Sequence, residues 1–146
     1  MYKVHKIGIS KLKGKEIEDV IEVKAIAGEG LENDRFCKNN NHKNCQITLI
    51  EKEIIDNFNN LLRLKIPYKN FRRNIVTEGI RLNKLVNKEI VIGSVKIKVH
   101  DLCEPCMYLQ NLLGQKNLVK NLVHKGGIRC EILTSGKISI GDIVKF

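Results

Sequence analysis

The stretch VHDLCEPCMYLQNLL at residues 99–113 places two cysteines between a strand pattern and a helix pattern. Before the cysteines, apolar residues alternate with lysine and histidine from 95 to 100, as in a half-buried strand. After them, leucines recur at helical spacing at 109, 112 and 113. Pro105 lies between the two patterns, and proline is favoured at the first position of a helix. The stretch therefore predicts a strand followed by a helix that begins at Pro105.

This prediction places Cys106 in the first turn of that helix. The unpaired N–H groups and the positive end of the helix dipole favour a thiolate there, with pKa values of roughly 3.5 to 7.5 for such cysteines. Cys106 is therefore predicted to be an activated sulfur. The Cys-x-x-Cys pair of Cys103 and Cys106 is also compatible with half a zinc site, a redox dithiol, or two buried small apolar residues.

Length and composition indicate one globular domain over residues 1–146. The chain is 42% hydrophobic and 29% charged, and no apolar run approaches the ~20 residues of a membrane span. The first residues lack the apolar core of a signal peptide. We therefore expect a cytoplasmic protein, with no membrane partner and with five reduced cysteines.

The net charge of +10 favours an anionic partner. The excess consists mainly of lysine, in a chain rich in asparagine and isoleucine, which is typical of an AT-rich genome. Aromatic residues make up 5% of the chain, too few to provide stacking platforms for a single-stranded nucleic acid. A basic nucleic-acid-binding barrel is therefore a minor alternative.

The first third of the chain predicts two strands and two loops. Alternating apolar residues predict strands over 2–10 and 19–27, paired as a hairpin. Two glycines within 28–35 permit the tight backbone of a binding loop. The polar residues 37–45 predict an exposed loop, and 46–50 are prone to form a strand.

A helix is predicted over 51–62. A strand is predicted over 71–80, and it begins with Arg72, Arg73 and Asn74, which we expect to line a cleft. Cys130 is predicted to lie in the core. The remaining patterns predict a hairpin, a helix and two strands, over residues 89–99, 118–123, 128–134 and 137–146. Seven or eight short strands and three helices, with little βαβ alternation, indicate a mainly β fold with helices (α+β). We expect a mixed, mostly antiparallel barrel with about three peripheral helices.

Five motifs, in this order along the chain, resemble the MOSC domain, the C-terminal domain of molybdenum cofactor sulfurases. They are Gly-x-Gly-x-x-x-Asp-Arg at 28–35, Gln-Ile-Thr-Leu-Ile at 46–50, Arg-Arg-Asn-Ile-Val-Thr-Glu-Gly-Ile at 72–80, Leu-Cys-Glu-Pro-Cys-Met-Tyr-Leu at 102–109, and Gly-Gly-Ile-Arg-Cys-Glu-Ile-Leu from 126, followed by Ile-Ser-Ile-Gly-Asp-Ile-Val. The likeness spans residues 4–146 and implies a single small MOSC domain with a barrel of the MOSC type.

The resemblance also implies a pocket for the molybdopterin form of the molybdenum cofactor. The family's key cysteine corresponds to Cys106, which would be the catalytic sulfur as a persulfide carrier or the ligand of molybdenum. Asp34 and Arg35 match one loop motif of the family, and Arg73 and Asn74 match its Arg-Asn pair. These four residues are the expected cofactor-binding residues, with both arginines on the terminal phosphate of the pterin and Asp34 orienting Arg35.

The function implied is binding of the molybdenum cofactor, transport of sulfur, or both. A sulfurtransferase-like or molybdenum-cofactor-dependent activity would follow, with a cysteine desulfurase or a molybdoenzyme as partner. Pyridoxal phosphate is only a family association, because in sulfurases it belongs to a separate domain whose Schiff-base lysine has no recognisable counterpart here. The main alternative is a structural or regulatory zinc module that uses Cys37, Cys45, Cys103 and Cys106, although their spacing is poor for zinc.

Overall fold

The computed structural model describes residues 1–12, 16–105 and 107–146, and of Tyr108 only the backbone. Cys106 therefore lies outside the described residues. Within the described ranges the chain forms eleven strands, which are β1 (Lys3–Ile9), β2 (Glu18–Val20), β3 (Glu22–Ile26), β4 (Gly30–Leu31), β5 (Ile47–Glu51), β6 (Ile75–Glu78), β7 (Glu89–Ile92), β8 (Val95–Leu102), β9 (Ile128–Ile132), β10 (Gly136–Ser139) and β11 (Val144–Lys145).

Eight of these strands form one sheet in the order β11-β7-β8-β9-β5-β6-β1-β2. Neighbours in this sheet are antiparallel, except that β5 and β6 run parallel. Strands β10, β3 and β4 form a second, smaller sheet. The large sheet curls into a half-barrel, which confirms the predicted mainly β, mixed and mostly antiparallel architecture.

The three predicted helices are present as α1 (Lys52–Leu62), α2 (Met107–Leu113) and α3 (Leu118–Leu122), together with two short 3-10 helices at Tyr68–Phe71 and Leu82–Leu85. Pro105 is buried but lies outside a helix, since the described part of α2 begins at Met107. The prediction that Pro105 opens the helix is therefore wrong. None of the helices in the described ranges is long and apolar enough to cross a membrane.

Two apolar clusters hold these layers together. The larger one lies inside the curled sheet, where alternate residues such as Val95, Ile97 and Val99 are fully buried. Cys130 belongs to this cluster, as predicted, and burial raises the pKa of its thiol far above the usual range. The smaller cluster packs the helices on the outer face of the sheet, with Phe58 and Phe71 at its centre.

The predicted strand over 19–27 is divided in the structure. β2 pairs with β1, as the predicted hairpin requires, but the chain bends at Ile21, which is exposed, and β3 joins β10 in the second sheet. The bend is fixed because the Ile21 carbonyl accepts a hydrogen bond from the Ile140 N–H at 3.0 Å. An alternating pattern specifies which faces are buried, but not which strand each half will pair with.

Candidate functional site

The predicted binding residues meet around a cavity of about 290 Å³. Five parts of the fold meet around it, which are the loop after β1, the loop before β5, the start of β6, the end of β8 and helix α2. Its described lining consists of Ser10, Ile17, Asp34, Arg35, Phe36, Asn44, Cys45, Thr48, Arg72, Arg73, Asn74, Cys103, Leu109 and Arg129. We call it the arginine cavity.

Four of the six arginines in the chain line this cavity, although lysines are far more numerous in the sequence. No lysine in the described ranges lines it, and Asp34 is the single described acid in its wall. Larger grooves, of about 620, 590 and 500 Å³, have neither a cysteine nor more than one arginine among their described lining residues. The arginine cavity is therefore the place where planar cationic donors and thiols occur together.

Asp34 holds the loop that carries Arg35. Its carboxylate accepts a hydrogen bond from the Ser10 N–H at 2.9 Å and another from the Phe36 N–H at 3.3 Å. Burial raises the pKa of Asp34, against the opposing effects of these two N–H groups and of the charges of Arg35 and Arg72. Asp34 thus orients the loop through its backbone, and it forms no ion pair with the Arg35 guanidinium.

Arg35 is positioned by its neighbour. Its guanidinium carbon lies 4.4 Å from the centre of the Phe36 ring, which is a cation–π contact. Its backbone N–H donates to the Ser10 carbonyl at 2.7 Å. Among the residues that the structure describes, no carboxylate lies within 4.0 Å of its side-chain nitrogens. Its charge is therefore directed to a ligand or to solvent.

Arg73 is used partly within the fold. Its Nε donates to the Gly126 carbonyl at 2.8 Å, and its terminal nitrogens donate to Phe71 at 3.4 Å and to Glu104 at 3.5 Å. A guanidinium has five N–H donors, so donors remain for a ligand. Arg73 thereby ties the start of β6 to the segment that precedes Cys106.

Asn74 is bound at both ends of its amide. Its oxygen accepts from the Thr48 backbone N–H at 3.1 Å and from the Thr48 hydroxyl at 3.2 Å, and its nitrogen donates to the Gly8 carbonyl at 3.1 Å. The residue therefore joins β1, β5 and the start of β6. It lines the cavity, as predicted, but its visible contacts are with the backbone that forms the cavity wall.

The segment from Cys103 to Pro105 is fixed from three directions. The Cys103 N–H donates to the Gly127 carbonyl at 2.7 Å, and the Glu104 carboxylate contacts both the backbone N–H and the ring of His124. Gly126 packs so closely that a Cβ atom there would overlap the Cys103 carbonyl oxygen. Gly126, which has no Cβ, thus permits the cysteine segment to approach the sheet.

Of the four cysteines of the zinc alternative, the three that the structure describes do not all line one cavity. Cys45 and Cys103 line the arginine cavity, whereas Cys37 lies outside its described lining, and burial raises the pKa of its thiol. No three His, Cys, Asp or Glu side chains within the described ranges form a group that could hold a metal ion. Cys106, the fourth member, lies outside these ranges.

Arg72, Cys45 and Arg129 line the cavity but were not among the predicted cofactor-binding residues. Arg72 was expected to line a cleft from its place at the start of the predicted strand, and Cys45 was expected only as a possible zinc ligand. Arg129 alternates with the buried Ile128 and Cys130 along β9, so its side chain points away from the core and to the face that carries the cavity. The alternation along β9 indicates on which face the Arg129 side chain lies. The loops that meet on that face are determined by long-range packing.

The fold and the site thus define a class of protein, a small, mainly β domain with an arginine-walled cavity beside a cysteine segment. The sequence profile of the MOSC domain matches residues 36–145 of the chain. The protein therefore belongs to the MOSC domain family.

Solved structures show the same fold. The YuaD protein from Bacillus subtilis is 16% identical, with a TM-score of 0.84 over 99% of this chain and 94% of that one. YiiM from Geobacillus stearothermophilus is 17% identical, with a TM-score of 0.80 over 99% of this chain and 74% of that one. YiiM from Escherichia coli is 16% identical, with a TM-score of 0.69 over 98% and 68%. No curated protein matches the sequence.

Proposed function

We propose that this MOSC domain binds the molybdopterin form of the molybdenum cofactor at the arginine cavity, with Cys106 as persulfide carrier or molybdenum ligand. The observation that carries the proposal is the concentration of four arginines in one cavity whose wall also includes Cys103. Planar guanidinium groups match the oxygens of a phosphate with paired hydrogen bonds.

The described residues fit the phosphate end of such a cofactor. Arg35 offers its whole guanidinium, and Arg73 retains donors beyond its three carbonyl contacts. The volume of about 290 Å³ lies at the lower end of ligand pockets, which span about 300–1,000 Å³. We infer that the cavity encloses the phosphorylated end and that the rest of the pterin lies toward its mouth.

The residues around position 106 support the choice of Cys106. Cys103 and Leu109, three residues to either side, both line the cavity, and the contacts of Glu104 and Arg73 hold the preceding segment in place. A persulfide forms on an accessible, deprotonated sulfur, and a soft thiolate is also a suitable ligand for molybdenum. When bound, the cofactor would supply a metal centre, while the protein's own residues would bind and orient its anionic end.

This proposal includes a sulfurtransferase-like or cofactor-dependent activity with a cysteine desulfurase or a molybdoenzyme as partner. Such a role suits the cytoplasm, where thiols stay reduced. Pyridoxal phosphate would act in the partner, at its own Schiff-base lysine.

The test is expression of the wild type, Cys106→Ser and Arg35→Gln in cells that make molybdopterin, followed by measurement of bound pterin, molybdenum and persulfide. We expect Cys106→Ser to lose persulfide or molybdenum, and Arg35→Gln to lose pterin. Cys37→Ser and Arg81→Gln are matched controls, because neither residue lines the arginine cavity. Equal loading of the wild type and Cys106→Ser would remove Cys106 from the mechanism.

A further inference from the structure

We propose that the arginine cavity accepts a sulfane-sulfur oxyanion of the thiosulfate class, whose sulfonate binds Arg35 and whose terminal sulfur passes to Cys103. The inference rests on the proposed role in sulfur transport. It goes further by naming a chemical class of donor and a second cysteine that accepts sulfur.

Among Arg35, Arg73 and Arg129, the contacts of the side chains favour Arg35 as the group that binds the anion. Arg129 stays charged but is ion-paired with Asp101, and three backbone carbonyls engage Arg73. Arg35 has no carboxylate within 4.0 Å among the described residues, and its guanidinium carbon lies over the Phe36 ring at 4.4 Å. A tetrahedral oxyanion accepts paired hydrogen bonds from a guanidinium group.

The placement of the thiols selects Cys103 among the described cysteines. Cys130 is sealed in the core, and Cys37 lies outside the described lining of the cavity. Cys45 lines the cavity but is exposed on a loop, and its sulfur contacts Asn44 at 3.5 Å. Cys103 is half-buried directly after β8, its N–H donates to the Gly127 carbonyl, and the residue lines the cavity.

Two further features favour a small anionic donor whose terminal sulfur reacts with a thiolate. The positive charge of Arg129 lies within electrostatic range of the sulfurs of Cys103 and Cys45. The cavity, at about 290 Å³, has room for a small oxyanion beside the thiol, and its apolar wall at Ile17 and Leu109 suits the polarisable sulfur.

The reaction balances without an external oxidant. The Cys103 thiolate attacks the terminal sulfur of thiosulfate and forms a new S–S bond. The S–S bond of thiosulfate breaks, and its electron pair leaves with sulfite. The thiolate and the thiosulfate dianion thus become a deprotonated persulfide and a sulfite dianion, so the total charge is unchanged.

The experiment incubates the reduced full chain with thiosulfate, measures sulfite release in a single turnover, and maps the added sulfur atom by peptide mass spectrometry. We expect one sulfite per chain and the sulfur on Cys103. Cys103→Ser should lose the burst of sulfite, and Cys37→Ser should retain it.

Arg35→Gln should raise the half-saturating thiosulfate concentration about 10- to 100-fold through loss of charge-assisted hydrogen bonds, and Arg35→Lys should do so less. Arg81→Gln, an exposed arginine in another groove, should leave it unchanged.

Failure of this inference can be told apart from failure of the proposed function. Absence of sulfite release, or sulfur on Cys106 or Cys45 that persists in Cys103→Ser, overturns the inference and leaves pterin loading as the test of the proposed function. Release that survives Cys106→Ser and is lost in Cys103→Ser supports the inference even if pterin loading fails. Circular dichroism of each variant checks the fold, and Arg35→Gln tests the anion site without any change to a cysteine.

Discussion

Arg129 and Asp101 are paired across β9 and β8, and their side chains form two contacts, Nε–Oδ1 at 3.1 Å and Nη2–Oδ2 at 2.5 Å. The hydrogen bonds that Arg129 donates to Asp101 are the main reason why the pKa of Arg129 is raised, so this guanidinium stays charged. Asp101 is absent from the described cavity lining, whereas Arg129 is part of it. The pair therefore sets how much positive charge the cavity offers to an anion.

Replacing Asp101 by asparagine should strengthen the binding of anions. Arg129 would keep its charge and lose its carboxylate partner, so we expect sulfate to bind several-fold more tightly, as measured by calorimetry at low ionic strength. The stability cost should stay below about 1 kcal/mol, because the two side chains are 39% and 41% exposed. Glu131→Gln is the matched control, since Glu131 pairs with His100 outside the described cavity lining. An unchanged sulfate affinity would mean that Arg129 does not face the bound anion.

Asn74 should prove to be a structural residue of the cavity wall. Asn74→Ala would leave the Thr48 N–H and the Gly8 carbonyl without their side-chain partner, at a cost of about 1–3 kcal/mol in the free energy of unfolding. Urea denaturation measures this loss. Asn70→Ala, at an exposed asparagine nearby, should change the stability little. A stable Asn74→Ala variant that loses only ligand affinity would instead assign Asn74 to binding.

Gly126→Ala tests whether close packing holds the cysteine segment. An added Cβ would overlap the Cys103 carbonyl and approach the Pro105 nitrogen at 2.9 Å, so the segment must move. We expect a loss of about 1–3 kcal/mol in stability, together with a changed alkylation rate of Cys103. In Gly114→Ala the new methyl group meets nothing within 4 Å and only the φ of +65° is strained. If the two variants lose equal stability and react alike, the contact does not position the thiol.

Much of this architecture follows from local pattern. The alternation of Val95, Ile97 and Val99 and the helical spacing at 51–62 predicted elements that the structure confirms. The helix agrees within one residue, and the strand continues three residues beyond its predicted end at 99. The order of the family motifs predicted which distant residues share a cavity, because Arg35 and Arg73 do line the same space. Neither the local periodicity nor the order of the motifs gives the distance between the loops that carry these residues.

The hydrogen-bond partners of the polar side chains in the cavity could not be predicted from the sequence. Arg73 and Asn74 looked like ligand-binding groups, but backbone carbonyls and N–H groups from other strands satisfy much of their capacity. Such partners come from residues 26 to 66 positions away along the chain, beyond any local periodicity. For the same reason, the Gly126 contact with the cysteine segment became visible only in the folded chain.

The pH dependence of stability should reveal the burial of Asp34. Its pKa in the folded protein is raised above the ordinary value of 3.8, chiefly by burial, so the folded state binds more protons than the unfolded state between the two values. Stability therefore falls as the pH rises from 3.8 through the folded-state pKa, and it is constant above that point as far as Asp34 is concerned.

Asp34→Asn removes this titration. Its stability, relative to wild type, should increase as the pH rises through that interval, because only the wild type acquires a buried charge there. At low pH the variant should be the less stable or equal, since an amide nitrogen cannot accept the Phe36 N–H. Urea unfolding of both proteins from pH 4 to pH 7 measures the difference. A constant difference across this range would show that the Asp34 carboxylate is solvated well enough to keep its ordinary pKa, and that its two backbone contacts offset its burial.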